Sequence, residues 1–199
     1  MTLHFILPER RSMPQSPEPD DIDFRLIGRL LALKPWIPSL FNGQYSFADH
    51  LLNLAEIVPP NFQLEALLLF AHAAFDEPVM PMIEEQNDTR RFFASFKPVG
   101  QVDPYINRIR ASIRLAAGLE RHPDVGDLRF LIAATSATIQ AELRDMGSGH
   151  TSSVTKGAAI TKHPIMPRTT EGAAALWADR VEQHIPDRMA ERNPERVAS

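Results

Sequence analysis

The sequence predicts an all-α protein, a compact bundle of about six helices with a flexible segment at each end. Three observations support this class. Apolar residues recur at helical spacing in several segments, prolines and glycines separate those segments, and no alternating pattern is long enough to build a sheet. The length of 199 residues fits one domain. A domain of this size needs neither disulfides nor a metal in order to fold.

Composition divides the chain into three parts. Residues 1–20 are predicted to form a flexible leader, because prolines and charges dominate the stretch after the first few residues. Residues 21–147 hold the helical domain. Residues 148–199 predict a linker rich in Gly, Ser, Thr and Pro and then a charged tail, within which 171–185 could form one amphipathic helix.

Capping and breaking residues set the expected helix bounds. The first helix begins after the acidic pair at 20–21 and ends before Pro35. Ser46 with Asp49 three residues later predicts a capped helix that runs to Val58.

The later helices are predicted by the same signals. Residues 62–75 are apolar nearly all round, which predicts one central helix. Asp103 followed by Pro104 predicts the start of the next helix. Either Asp124 or Asp127 opens a last long helix that ends at Gly147.

Charge and composition exclude several classes of protein. The chain has no cysteine, which excludes disulfide scaffolds, Cys-based metal sites and cysteine nucleophiles. The formal net charge of −4 argues against a nucleic-acid-binding surface. No run of about 18 apolar residues is present, so we expect no membrane span, and the short N-terminal stretch does not fit a signal peptide. The expected location is the cytoplasm.

Two histidines carry the best chemical signal. His50 lies i+3 from Phe47 and His72 lies i+4 from Leu68, so both rings should turn towards the core. A buried imidazole needs partners for both ring nitrogens. A metal on one nitrogen and a carboxylate on the other would supply them; a backbone carbonyl and a hydroxyl are the alternative.

Acidic residues could complete a metal site around these histidines. Asp76 lies i+4 from His72, on the same helical face, and Asp127 begins a later helix. Two His with Asp suit a divalent ion of the Zn, Mn, Fe, Co or Mg group. The alternatives are a solvated helix end for Asp76 and a helix N-cap for Asp127.

A group of arginines offers a second chemical signal. Arg90 and Arg91, with Arg108, Arg110 and Arg114, could meet phosphate groups. Arg110 and Arg114 are four residues apart and share a helix face, which a solvated surface explains equally well.

The order of these elements resembles the HD-domain phosphohydrolases, in particular their small 5′-deoxynucleotidase-like branch. The string YSFADH at 45–50 is similar to the family's YSVAEHS, and LLFAHAAFDE at 68–77 is similar to its LLHDAAEA. Asp127 follows, and ELRDM at 142–146 is similar to the family's TERRDL. The resemblance covers residues 21–147.

This resemblance implies a function and a site. His50, His72 and Asp127 would hold a divalent metal ion (Mn, Co, Mg, Fe or Zn), and Asp76 stands where the family has a catalytic or positioning acid. Such proteins hydrolyse phosphate esters of nucleotides, with the metal activating a water. HD-type domains often pair, so the resemblance also leaves a homodimer open.

The chain departs from the family pattern at two positions. The HD doublet reads His72-Ala73, which lacks one metal-ligating acid, and Leu40 stands where the family has an arginine. Three hypotheses follow. The chain is a metal-dependent phosphohydrolase, or a catalytically inactive HD-fold module that binds or regulates, or a helical DNA-associated factor, which the acidic charge disfavours.

Overall fold

The protein is described by a computed structural model over residues 17–37, 41, 45–75, 104–146 and 164–192, with 186–192 described by backbone alone. Within these ranges, one isolated bridge between Pro35 and Ser46 is the sole strand-type pairing. The prediction of an all-α bundle of about six helices is therefore confirmed. The helices with described bounds are α1 (Phe24–Leu33), α2 (Phe47–Ile57), α3 (Gln63–Leu68), α4 (Pro104–Ala116), α5 (Val125–Met146) and α6 (Thr170–Arg192).

Helix α1 ends where the sequence predicts, and the chain that follows is tied to the start of α2. Asp23 caps α1 by accepting a hydrogen bond from the Leu26 amide at 3.0 Å. Beyond the helix, the Trp36 amide donates to the Tyr45 carbonyl at 2.6 Å. This backbone bond fixes Trp36 against α2, where its ring meets the edge of Phe47 at 4.8 Å between centroids.

Helix α2 begins with the predicted capping box. The Ser46 hydroxyl accepts from the Asp49 amide, and the Asp49 carboxylate accepts from the Ser46 amide, each at 3.2 Å. Most of the helix is buried, including its polar residues Asp49, His50 and Asn53. A helix covered on nearly all sides can hold polar groups only if they find partners inside the protein.

The segment predicted as one helix over 62–75 is broken, and that prediction is wrong. A 3-10 turn at Pro60–Phe62 leads into the short α3, and a second 3-10 turn runs over Ala71–Ala74. There the amides of Ala73 and Phe75 bond to carbonyls three residues back. The Ala73 carbonyl accepts from Lys34 Nζ at 2.5 Å, so the residue that follows α1 contacts this second turn.

The next two helices begin at predicted residues. Helix α4 starts at Pro104, and Gly118 with φ of 75° lies just beyond its end, a conformation that favours glycine. Of the two residues proposed to open α5, Asp124 is the cap, because its Oδ1 accepts from the Gly126 amide at 2.6 Å and the Asp127 amide at 3.3 Å.

Helix α6 is longer than the predicted 171–185 and packs into the same core as the rest. Trp177 is fully buried, and its indole N–H donates to the Leu67 carbonyl at 3.1 Å. Gly28 on α1 lies so close to α6 that a Cβ there would stand 2.7 Å from the Ala174 carbonyl oxygen. At the rim, Arg25 pairs with Asp179 at 2.6 Å.

Parts of the predicted leader and linker lie outside the described residues, namely 1–16 and 147–163. Of the leader, Pro17 is described and buried, and its carbonyl accepts from the Ser112 hydroxyl at 2.5 Å. None of the helices in the described ranges combines the length and the apolar character that crossing a bilayer requires.

Candidate functional site

His50 lies at the centre of the bundle and is fully buried, so the prediction that its ring turns inward is confirmed. Its imidazole stacks on the Trp36 ring at 3.9 Å between centroids with an interplanar angle of 13°. Its Nδ1 lies 2.8 Å from Oε1 of Glu142 on α5, and both side chains are 0% exposed. The Nδ1–H therefore has a charge-assisted bond to a carboxylate.

Glu142 binds a second donor through the same oxygen. The Tyr45 hydroxyl donates to Oε1 at 2.7 Å, and Asn53 Nδ2 donates in turn to the Tyr45 oxygen. Burial, together with the negative charge of Glu142, raises the pKa of Tyr45 well above its ordinary value of 10.0. Within the described part of the chain, His50 Nε2 and Glu142 Oε2 have no hydrogen-bond partner.

A surface arginine closes the outer end of this network. Arg168, in the segment before α6, reaches Asn53 Oδ1 with its guanidinium at 3.4 Å. Its backbone amide donates to Asp49 Oδ1 at 3.2 Å. Arg168 and Asp49 border a cleft of about 290 Å³ between the end of α1 and the start of α2 and α6. Arg168 and Asp49 are thus the charged residues that line the cleft.

His72 lies in the second 3-10 turn, half-buried, and an arginine of α4 covers its ring. Arg110 Nε lies 3.2 Å from His72 Nδ1, and Arg110 Nη2 lies 2.9 Å from His72 Nε2. Burial is the main cause that lowers the pKa of His72 well below 6.5, and the charges of Arg110 and Lys34 lower it further. Burial also lowers the pKa of Arg110.

The contact between Arg110 and His72 leaves donors unmatched. At neutral pH the imidazole is uncharged, because its pKa is lowered, so one ring nitrogen carries a proton and only the other can accept. Both nitrogens nevertheless face N–H groups of the guanidinium. At least one of those N–H groups therefore has no acceptor on the ring.

The remaining predicted residues lie apart or outside the described ranges. Asp127 lies in the first turn of α5, where its backbone amide donates a hydrogen bond to the Asp124 carboxylate. Asp76 falls in the undescribed stretch 76–103. Among the residues that the structure describes, no three His, Asp or Glu side chains form a group able to hold a metal ion. His50, His72 and Asp127 are thus not brought together in one such group.

Sequence reasoning missed the groups that the two histidines contact. In the sequence, Glu142 stands out only as the first residue of the string ELRDM. It also lies i+3 from the core residue Ile139, which would have assigned it to the inner face of α5. The sequence predicts that Arg114 is a solvated residue or a phosphate contact. It is instead buried, with Nη2 bonded to Glu65 at 2.9 Å, so the prediction of a solvated residue is wrong. Neither Arg110 nor Glu142 could be paired with its histidine by local spacing.

No family model matches the sequence, and a search of curated proteins finds no match. The arrangement of side chains is therefore the basis for assigning a function.

Proposed function

We propose that this chain is a catalytically inactive, HD-like helical module that binds a ligand or regulates a partner. One observation carries the proposal: the guanidinium of Arg110 stands against both ring nitrogens of His72. A metal ion bound to His72 would have to lie beside this cation. At about 4 Å and an effective dielectric constant of about 20, a +2 ion and a +1 group repel by roughly 8 kcal/mol.

That repulsion is large for a site with few ligands. Structural zinc sites with four good ligands bind with about 10–16 kcal/mol. At His72 the neighbouring position of the doublet is Ala73, which is buried and offers no ligand atom. The other predicted histidine, His50, belongs to no group of three His, Asp or Glu side chains in the described ranges that could hold a metal ion. These two observations support a site that no longer ligates a metal.

The second candidate is the metal-dependent phosphohydrolase that the sequence resemblance implies. One observation favours it: the positive charges of Arg110 and Lys34 surround His72 and suit a phosphate ester. In this candidate His50, His72 and Asp127 would hold the ion, which requires Arg110 to move away from the ring. We rank it second because that movement would also uncover a half-buried histidine.

Metal analysis and a turnover assay separate the two candidates. We expect the purified protein to carry no stoichiometric metal and to release no phosphate from deoxynucleoside mono- or triphosphates with Mn²⁺, Co²⁺ or Mg²⁺. Turnover that disappears in His72→Ala but persists in His122→Ala would overturn the proposal and establish the enzyme. His122 is the matched control because it is exposed in the loop between α4 and α5.

A further inference from the structure

Arg110 differs from Arg114 and Arg168 in what it binds. Arg114, one turn further along α4, forms a two-pronged pair with Glu65 and also donates to the Glu120 carbonyl. Arg168 is paired with Asp49, at 3.4 Å. Within the described ranges, Arg110 contacts no carboxylate, and its two hydrogen-bond contacts both go to the His72 ring.

At least one N–H of the Arg110 guanidinium lacks an acceptor on the His72 ring and is available to a ligand. Charged groups are seldom removed from water unless an opposite charge is close by. In any protonation state the His72 ring offers at most one acceptor nitrogen for the two N–H groups that face it. An anion that approached Arg110 would satisfy the unmatched N–H and balance the charge. The half-buried state of both side chains leaves an approach from solvent.

We propose that Arg110 and His72 form a binding site for the phosphate group of a small phosphorylated molecule. The inference rests on the proposed function, since it names the ligand class of an inactive binding module. The guanidinium offers a planar fork of donors that suits phosphate oxygens, and the ring N–H of His72 adds a further donor.

A phosphate group fits better than the other anions that an arginine binds. Lys34 Nζ bonds the carbonyl of Ala73, the residue next to His72, so a second positive charge lies at the same turn. Two cations match a dianion better than a monovalent carboxylate. A nucleic-acid backbone is disfavoured because the site is half-buried and the chain carries a net charge of −4.

Calorimetric titration of the full chain with inorganic phosphate tests this site. We expect saturable binding that Arg110→Gln weakens by about ten- to hundredfold, the range for a lost hydrogen bond to a charged group. Arg110→Lys keeps the charge but loses the fork, so it should retain part of the binding. Arg108→Gln is the control, because Arg108 is exposed on the same helix. Thermal melting of each variant shows whether it is folded.

The outcomes distinguish this inference from the proposed function. No binding of phosphate, or equal weakening by Arg108→Gln and Arg110→Gln, would overturn the phosphate site. Tighter binding of acetate than of phosphate would also overturn it, in favour of a carboxylate site. Binding that depends on Arg110, together with release of phosphate from a deoxynucleoside monophosphate, would support the site and reject the inactive module.

Discussion

Glu142 is the residue on which the interior polar network depends. One carboxylate oxygen accepts from both His50 and Tyr45, and none of these side chains has contact with solvent beyond about 1%. A carboxylate with two donors in a dry interior is stabilised by those bonds alone. Its replacement would leave a hydroxyl and an imidazole without their common acceptor.

We expect Glu142→Ala to lower the free energy of unfolding by about 3–5 kcal/mol, the cost of removing one partner from a buried charged pair. Chemical denaturation followed by circular dichroism measures this change. Glu56→Ala is the matched control, because Glu56 is half exposed on α2 and its pairing with Arg168 at 3.6 Å is weak. The control should change stability by no more than about 0.5 kcal/mol. Equal effects of the two substitutions would contradict the role given to Glu142.

The residue scale also shows where sequence reasoning stops. The inward direction of His50 followed from its spacing to Phe47 and Leu54, because helical periodicity is a local property. The sequence analysis also predicts a carboxylate as one possible partner of a ring nitrogen. That partner is Glu142, 92 positions away in the sequence, and its identity depends on how α5 packs on α2. Local spacing carries no information on that packing.

At the scale of elements, the contact between α1 and α6 depends on a glycine. An added Cβ at position 28 would stand 2.7 Å from the Ala174 carbonyl oxygen and 3.2 Å from Trp177 Cε3. The first of these is a backbone atom, which cannot rotate out of the way. Close approach of the two helices thus requires the absence of a side chain at Gly28.

We expect Gly28→Ala to destabilise the protein by about 1–3 kcal/mol, as overpacked core positions do. Helix propensity alone would give the opposite sign, because alanine is favoured over glycine inside a helix by about 1 kcal/mol. Thermal unfolding of the variant decides between the two. The control is Gly172→Ala in the exposed first turn of α6, where a Cβ would stand 2.9 Å from the Thr169 hydroxyl, a side-chain atom that can rotate away at the cost of its bond to the Gly172 amide, about 1 kcal/mol. A stabilised Gly28→Ala would show that α6 does not pack against α1 as described.

Element bounds followed from capping residues wherever those residues act locally. The helix starts predicted from the Ser46–Asp49 pair and from Pro104 are observed in the structure. The prediction of one helix over 62–75 was wrong because composition indicated only that the segment is buried. Its last turn contacts Lys34 through the Ala73 carbonyl, and these residues are 39 positions apart.

For the whole molecule, a bundle of about six helices was predictable from periodicity and prolines, and the structure confirms it. The resemblance to HD-domain phosphohydrolases stays a prediction, as do the metal site and the nucleotide substrate. The membership of α6 in the core was not predictable, since its weak amphipathic pattern fits a surface helix equally well. Its place is set by Trp177, whose partner Leu67 lies 110 positions earlier.

Global stability should fall at alkaline pH because of Tyr45. Its pKa is raised well above 10 in the folded protein, so the unfolded chain loses its phenolic proton first. The stabilisation is fully present below pH 10 and is lost as the pH rises from there towards the folded pKa. The chain has two tyrosines, so Tyr105→Phe leaves Tyr45 as the sole phenol.

In that variant we expect phenolate absorbance to appear together with the loss of helical circular dichroism. Phenolate formation in a chain that keeps its full helical signal would show that Tyr45 is reached by solvent without unfolding. Tyr45→Phe in the same background should remove the absorbance change and make the alkaline loss of stability shallower.

The pairing of α1 with α6 also affects how the chain can fold during synthesis. Arg25 and its partner Glu182 are 157 positions apart. At a translation rate of about 5–20 residues per second, α6 is synthesised roughly 8–30 s after α1. During this interval the face of α1 around Gly28, which meets Ala174 and Trp177, lacks its partner helix, so the nascent chain exposes apolar surface that chaperones can bind.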